Sequence, residues 1–469
     1  MWYGQDCWQS PKGDPVSKTG AAGQVELAGS AAGGQGPLIQ SELAIREKAA
    51  GKGRAISRRG AMGRLAGWAA GAMLGSFGVP RPVRAWAEPQ PIQVSKEDLG
   101  NSNIYCEVPY CSSDSRYFVY ARRNPRRSSD SPKERANGTE LVAVELGTWK
   151  QERLDVAAGL GGLAVSPKGI FYYLQRTGTG ELQLVRVDIG RGQPQPVYRR
   201  KDEPWIRSLG TVSYDERYYA GGVVVGEGWK NFGILLVDLQ KGTEAVIDED
   251  PYILNPHPQF DPGPRYRLMI QHNRGGRYSP DGKLQRLVGD EGATLYVLSV
   301  PDGKRTTLQV GKHYTTPCTG HEAWIGTTGQ MLLTVSASGE YSPEQKGNLL
   351  TVAPGQPAKV LGVKGFLFSH VGVSRCGRLF SCDDWRPPFR IVIGSTKTGR
   401  AAVICASESK PDRNQNTHPH PYLTPDLKWV ILTRTGPGCP MFMPPRCRKI
   451  PWPPYWPMRK AKPATFGVL

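Results

Sequence analysis

All seven histidines of this chain lie between residues 257 and 420: His257, His272, His313, His321, His370, His418 and His420. Two of them stand at i and i+2 in the segment Gln415-Asn416-Thr417-His418-Pro419-His420. On an extended chain alternate side chains share a face, so His418 and His420 offer two ring nitrogens to one point. That is how a strand supplies imidazole ligands to a metal, and Gln415 can add an amide oxygen from the preceding loop. Such donors suit a borderline divalent ion (Mn, Fe, Co, Ni or Zn), and donor type alone does not choose among them. A metal held without carboxylates keeps its charge largely uncompensated, which favours an acidic substrate oxygen as the remaining ligand and Lewis-acid chemistry on a carboxylate.

The elements that must position these residues are short strands. The chain has 469 residues with 57 Gly, 40 Pro and 39% apolar residues, the make-up of a turn-rich β protein long enough for a large core. From residue 88 onward one motif recurs: an apolar segment, a turn led by a small polar residue, then a β-branched or aromatic run. The turns are Ser113-Asp114-Ser115, Ser166-Pro167-Lys168-Gly169, Ser213-Tyr214-Asp215-Glu216, Asp261-Pro262-Gly263, Gly326-Thr327-Thr328-Gly329, Ser374-Arg375-Cys376-Gly377 and Thr424-Pro425-Asp426-Leu427. Most intervals are about 47 to 54 residues and one is about 66. A period near 50 with about four short strands per unit predicts an all-β, seven-bladed β-propeller over residues 88–436. Ser279-Pro280-Asp281-Gly282 follows Asp261 too closely to open another blade and reads as a long hairpin in the fourth unit.

The strand before each turn would be the innermost. Counting back four residues from Asp261, Ser374 and Thr424 gives His257, His370 and His420, and His321 takes the same register if the fifth turn carries one extra residue. The first three units have Pro109, Gly162 and Leu209 at that position. Four histidines in register toward a common axis point to a shared metal or active site.

The formal charge of +19 suggests nucleic acid at first sight, but residues 1–87 and 436–469 hold 12 of those charges. The remaining excess fits a cleft for acidic substrates, and no nucleic-acid module is recognisable. Ser57-Arg58-Arg59-Gly60, an uncharged run from Leu65 to Val79 and Ala85-Trp86-Ala87 have the layout of a twin-arginine export signal over 56–87, with a run too short to span a bilayer. The expected location is periplasmic or extracellular, with residues 1–55 a non-native or disordered extension. The nine cysteines show no CxxC pair; Cys106/Cys111 and Cys376/Cys382 are the nearest pairs for oxidation after export. There is no Gly-x-Ser-x-Gly nucleophile.

Three stretches resemble the oligogalacturonate lyases, propellers of seven blades that split short pectin fragments. They are Gly320-His321-Glu322-Ala323-Trp324, Ser369-His370 ahead of Ser374, and Gln415-x-x-His418-x-His420-Pro421 followed by Leu427-Lys428-Trp429-Val430. The resemblance covers about residues 100 to 436. It implies a Mn²⁺ ion, or another divalent metal, held by His370, Gln415, His418 and His420, with His321 as the base. The implied reaction is β-elimination of a short oligogalacturonate or other uronate: the metal binds the uronate carboxylate, His321 takes the C5 proton, and the C4–O bond breaks. The family's arginine about 25 residues before the base has no counterpart at Thr294-Leu295-Tyr296. His257, His272, Arg274 and Arg277 are therefore the candidate substrate-binding residues, with Arg286 on the same hairpin.

After Thr435 the chain is rich in Pro and Trp and unsuited to regular strands. The codons of Met441-Phe442-Met443-Pro444, read two bases on, give Val, then Tyr or His, then Ala, similar to the family's last strand. The expectation is a frameshift near residue 436 and an aberrant tail over 437–469. The alternative function is a non-catalytic propeller of the TolB-like kind, a periplasmic scaffold or sugar-binding protein, which accounts for the turns but not for the histidines.

Overall fold

The computed structural model describes residues 91–95, 99–123, 138–177, 179–201, 209–409 and 417–434. The extension over 1–55, the export signal, the tail over 437–469 and Gln415 lie outside the described residues. Within them the chain is all-β apart from one short 3-10 turn, Gly339–Tyr341, and no helix is long and apolar enough to cross a membrane.

Antiparallel four-stranded meanders follow one another over 101–158, 161–201 and 211–250. The next two, over 259–307 and 318–360, are joined into one sheet by a single pairing, Ala293 with Cys318. A further four-stranded meander spans 368–406, and a two-stranded ladder pairs Tyr422–Leu423 with Val430–Ile431. The architecture is propeller-like. Second and third strands such as Tyr117–Arg123, Asn231–Asp238 and Arg390–Ser395 read as nearly continuous apolar runs because both of their faces are covered by neighbouring sheets. Outermost strands such as Gln195–Lys201 and Thr243–Asp250 are largely exposed and correspondingly polar. The expected hairpin in the fourth unit is present, Arg277–Tyr278 pairing with Leu284–Arg286.

Each sheet is hydrogen-bonded to the next. Ser113 Oγ donates to the Lys168 carbonyl, Gly210 N to that of Leu163, Phe260 N to Thr211 Oγ1, Trp324 Nε1 to the Gln259 carbonyl, Thr334 Oγ1 to that of Ser369, and Ser381 Oγ to that of Pro421. The last sheet returns to the first: Asn103 Nδ2 donates to the His420 carbonyl at 2.7 Å, and Asn103 N to Thr433 Oγ1 at 3.1 Å. Tyr110 meets Tyr422 and Trp149 meets Trp429 edge to face, so one apolar cluster spans both ends of the described chain.

The inner edge of the first sheet is irregular. Asn101–Ser102 and Cys111 both pair with Tyr117–Arg123, and residues 103–109 leave that edge as a loop. Ile104 in this loop is in the left-handed region at φ 73°, an outlier for a β-branched residue. Of the nine cysteines, Cys106, Cys111, Cys318, Cys376 and Cys382 are free thiols, so the pairs Cys106/Cys111 and Cys376/Cys382 are not bridged.

Candidate metal centre

The turns set the register of the inner strands. In each, the leading residue's N–H closes on a carbonyl beyond the turn: Ser112 to Tyr117, Ser166 to Ile170, Ser213 to Tyr218, Asp261 to Arg267, Ile325 to Gln330, Ser374 to Leu379 and Thr424 to Trp429. Where the leader is Ser or Thr, its hydroxyl accepts the N–H of that same partner residue, as at Tyr117, Ile170, Tyr218, Leu379 and Trp429. Two positions differ from the sequence expectation. The first turn is led by Ser112 rather than Ser113, because Ser112 carries the capping hydroxyl, so its register position is Val108 and not Pro109. The fifth is led by Ile325, which puts His321 four residues back with no extra residue.

Local backbone devices aim the four histidines. His257 and His420 adopt φ 42° and 41°, in the left-handed region that few non-glycine residues occupy. His321 and His370 sit instead inside register shifts, between Cys318 and Glu322 and between Phe368 and Val371, and a bulge of this kind re-aims a side chain. Gly320 is required beside His321: its φ is 85°, and a Cβ there would lie 2.7 Å from Gln271 Oε1.

The rings of His321, His370, His418 and His420 converge. Centroids are 4.3 Å apart for His370 and His420, 5.1 Å for His370 and His418, and 4.2 Å for His321 and His370. One ligand nitrogen each of His370, His418 and His420 lies within 4.8 Å of the others, and all three side chains are buried. His370 Nε2 and both ring nitrogens of His420 have no hydrogen-bond partner. Leaving a buried polar atom unpaired costs about 1–3 kcal/mol, and a shared ion resolves several such atoms at once. The donor set therefore fits a divalent metal.

His370 is also held from behind. Its Nδ1 lies 2.6 Å from Asp383 Oδ2, its backbone N donates to Asp383 Oδ1 at 2.7 Å, and Trp385 Nε1 donates to Oδ2 at 3.0 Å. Burial pushes the Asp383 carboxyl up, but His370 and these hydrogen bonds outweigh it and hold it below the ordinary carboxylate range. An ionised Asp383 keeps the proton on Nδ1 and leaves Nε2 as a lone-pair donor. His321 is pushed well below the ordinary histidine value, first by burial and then by His370, His257 and His418, with a bond to the Ser369 backbone opposing. It is a neutral imidazole at neutral pH, the form that accepts a proton.

That shift has a stability consequence. A histidine with a depressed folded value stabilises fully above its unfolded value, about 6.5, and the contribution is lost as pH falls from there through the folded value. In metal-free protein the wild-type melting temperature is expected to fall relative to that of His321→Asn between pH 7.5 and 5.5. Parallel curves would refute the burial of a neutral His321.

The other expected residues divide. His257 belongs to the cluster's surroundings, with its ring 5.6 Å from that of Tyr105 and its Nδ1 2.6 Å from Glu107 Oε1. His272 does not: its Nε2 lies 2.9 Å from Asp250 Oδ1, on the outermost strand of the preceding sheet, and its ring packs on Tyr252 and Tyr296. It sits one strand out from the centre, where its ring completes an inter-sheet contact. Arg274 is engaged by the Glu291 carboxylate and by the Glu291 and Lys312 carbonyls, and its charge reaches the Cys318 thiol at the start of the His321 strand. Arg277 is exposed on the hairpin, and Arg286 donates to the Gly275 carbonyl. Sequence reasoning did not single out Tyr105, whose ring stands 4.6 Å from His420 and 6.1 Å from His370, nor Glu107, Glu322, Asp383 and Trp385. One signal was available: Asp383-Asp384 are adjacent acids in a strand whose two faces are both buried.

No family model matches the chain, and no curated protein matches it in sequence. Among solved structures it is similar to an oligogalacturonate lyase from Vibrio parahaemolyticus, at 17% identity over 75% of this chain and 92% of that one, with a TM-score of 0.55. It is similar also to an oligogalacturonate lyase in complex with manganese, at 18% identity over 75% and 91%, with a TM-score of 0.56. At these identities the overlaps show a shared fold.

Proposed function

We propose that this chain is a metal-dependent lyase that cleaves short oligogalacturonates, or a related uronate, by β-elimination on a seven-bladed propeller. The observation that carries the reading is the buried group His370–His418–His420 with the neutral His321 ring 4.2 Å from His370. The backbone overlap with an oligogalacturonate lyase in complex with manganese makes Mn²⁺ the ion to test. Six four-stranded meanders, a final two-stranded ladder and the bonds from Asn103 to His420 and Thr433 support the count of seven blades.

His370, His418 and His420 would hold the ion, with Gln415 as a further ligand. Bound there, it would supply positive charge to the uronate carboxylate as the C5 proton is lost. The neutral His321 imidazole takes that proton on its unprotonated nitrogen, the C5–H electron pair forms the C4–C5 double bond, and the C4–O bond breaks with its pair going to the leaving sugar's oxygen, which is protonated from solvent. Tyr105 bounds the space over the rings, and Asp383 fixes the tautomer of His370. The test is to add Mn²⁺ and digalacturonate to the full-length protein and follow the ultraviolet absorbance of the unsaturated product. A signal abolished by EDTA and restored by Mn²⁺ is expected. Stoichiometric metal without signal would discard the substrate, and no bound metal would leave a non-catalytic propeller as the better reading. The Arg58–Arg59 pair ahead of the Leu65–Val79 run supports export as part of this proposal, a reading that fails if a reporter fused after residue 87 is not exported by the twin-arginine route.

A further inference from the structure

A second group of buried polar side chains stands beside the histidines and takes no part in the steps above. Glu107, from the loop over 103–109, His257, just before the inner strand Gln259–Phe260, and Glu322, on the inner strand Cys318–Trp324, each offer a ligand atom, and these lie within 4.8 Å of one another. Glu322 has no solvent exposure, and neither of its carboxylate oxygens has a hydrogen-bond partner. Gln259 Nε2 donates to Glu107 Oε2 at 2.7 Å and to the Glu322 carbonyl at 2.6 Å, while its own Oε1 is buried without a partner. Burial, then Glu107, pushes the Glu322 carboxyl well above its ordinary range; Glu107 is raised by burial against the opposing pull of His257 and Gln259.

A dry carboxylate with no donor is costly, and two side by side compound the cost unless a proton or a cation joins them. The protein has instead gathered around that point two carboxylates and one imidazole, with both Glu322 oxygens orphaned and the Gln259 amide nitrogen bonded to Glu107 beside them. We infer that Glu107, His257 and Glu322 form a second divalent-cation site beside the three-histidine centre. The two carboxylates neutralise the ion, and the imidazole favours a borderline ion such as Mn²⁺ or Zn²⁺ over Ca²⁺. Binding replaces the proton between His257 Nδ1 and Glu107 Oε1, and any on Glu322, which leave to solvent. Held by such an ion, the 103–109 loop is fixed to the fourth and fifth sheets and Tyr105 is fixed over the His370 and His420 rings. The site is structural and independent of the lyase reading.

The experiment is a Mn²⁺ titration of the metal-stripped full-length protein, counting bound ion from the free-Mn²⁺ electron paramagnetic resonance signal. The comparison is among wild type, Glu322→Leu and the double variant His418→Ala/His420→Ala. Two equivalents in wild type and one in each variant are expected. One equivalent lost in Glu322→Leu but kept in the histidine variant would retain this site and remove the three-histidine centre. The inference is overturned if wild type binds none, if its single equivalent survives Glu322→Leu, or if Glu322→Leu still binds two. Should Glu322→Leu fail to fold, Glu107→Gln replaces it, with an expected tenfold or greater weakening of one of two sites; unchanged binding there overturns the inference equally.

Discussion

His321→Ala is expected to lower kcat for β-elimination by a factor of about 100 to 10,000, the usual worth of a positioned general base, while Mn²⁺ binding stays unchanged. The separation follows from geometry. His321 comes from the inner strand Cys318–Trp324, whereas the ligand group His370, His418 and His420 comes from the two sheets that follow. Its neutral state rests on burial and on three neighbouring imidazoles, so the acid limb of kcat/KM is expected to fall below the ordinary histidine value of about 6.5. Single-turnover kinetics with metal-loaded protein check the loss. Retained kcat in His321→Ala would move the base elsewhere and leave the metal site standing.

Asp383→Asn should weaken Mn²⁺ binding by about 10- to 100-fold while leaving kcat per bound ion within a few-fold. Three donors converge on this carboxylate: the His370 backbone N–H on Oδ1, and His370 Nδ1 with Trp385 Nε1 on Oδ2. An amide has one oxygen for these two positions, so its NH₂ faces either the backbone N–H or the ring. The arrangement that spares the backbone bond moves the imidazole proton to Nε2, the atom the ion needs. Binding is read from a Mn²⁺ titration and turnover from initial rates at saturating metal. An unchanged titration would mean that His370 is not a ligand. A collapse of kcat at full occupancy would mean that Asp383 acts on the substrate.

Much of this centre was legible in the sequence because turns and histidines carry one-dimensional signals. The distance from turn leader to histidine is short and local, so His257, His370 and His420 could be placed by counting. His321 was placed only conditionally, since its turn is led by Ile325 rather than by a hydroxyl residue. Part of what was not legible came from pairings remote in the chain. Tyr105 and Glu107 reach the histidines from the opposite end of the sequence, and no spacing rule connects Glu107 to His257, 150 residues away. His272 illustrates the converse limit: it lies on the strand next to the one that follows His257, where a ring has an outer strand and two tyrosines for company.

The bonds from Asn103 to His420 and Thr433 bridge sequence separations of 317 and 330 residues, and the first ends on a member of the candidate metal centre. Contacts this remote in sequence carry a larger loop-closure cost than the local pairings within each sheet. Once bound, metal shifts the folded population by mass action at the seam where the two ends of the described chain meet. Chelation would then act as a slow loosening of that seam, visible as hydrogen exchange concentrated in residues 101–123 and 417–434 while the middle sheets keep their protection.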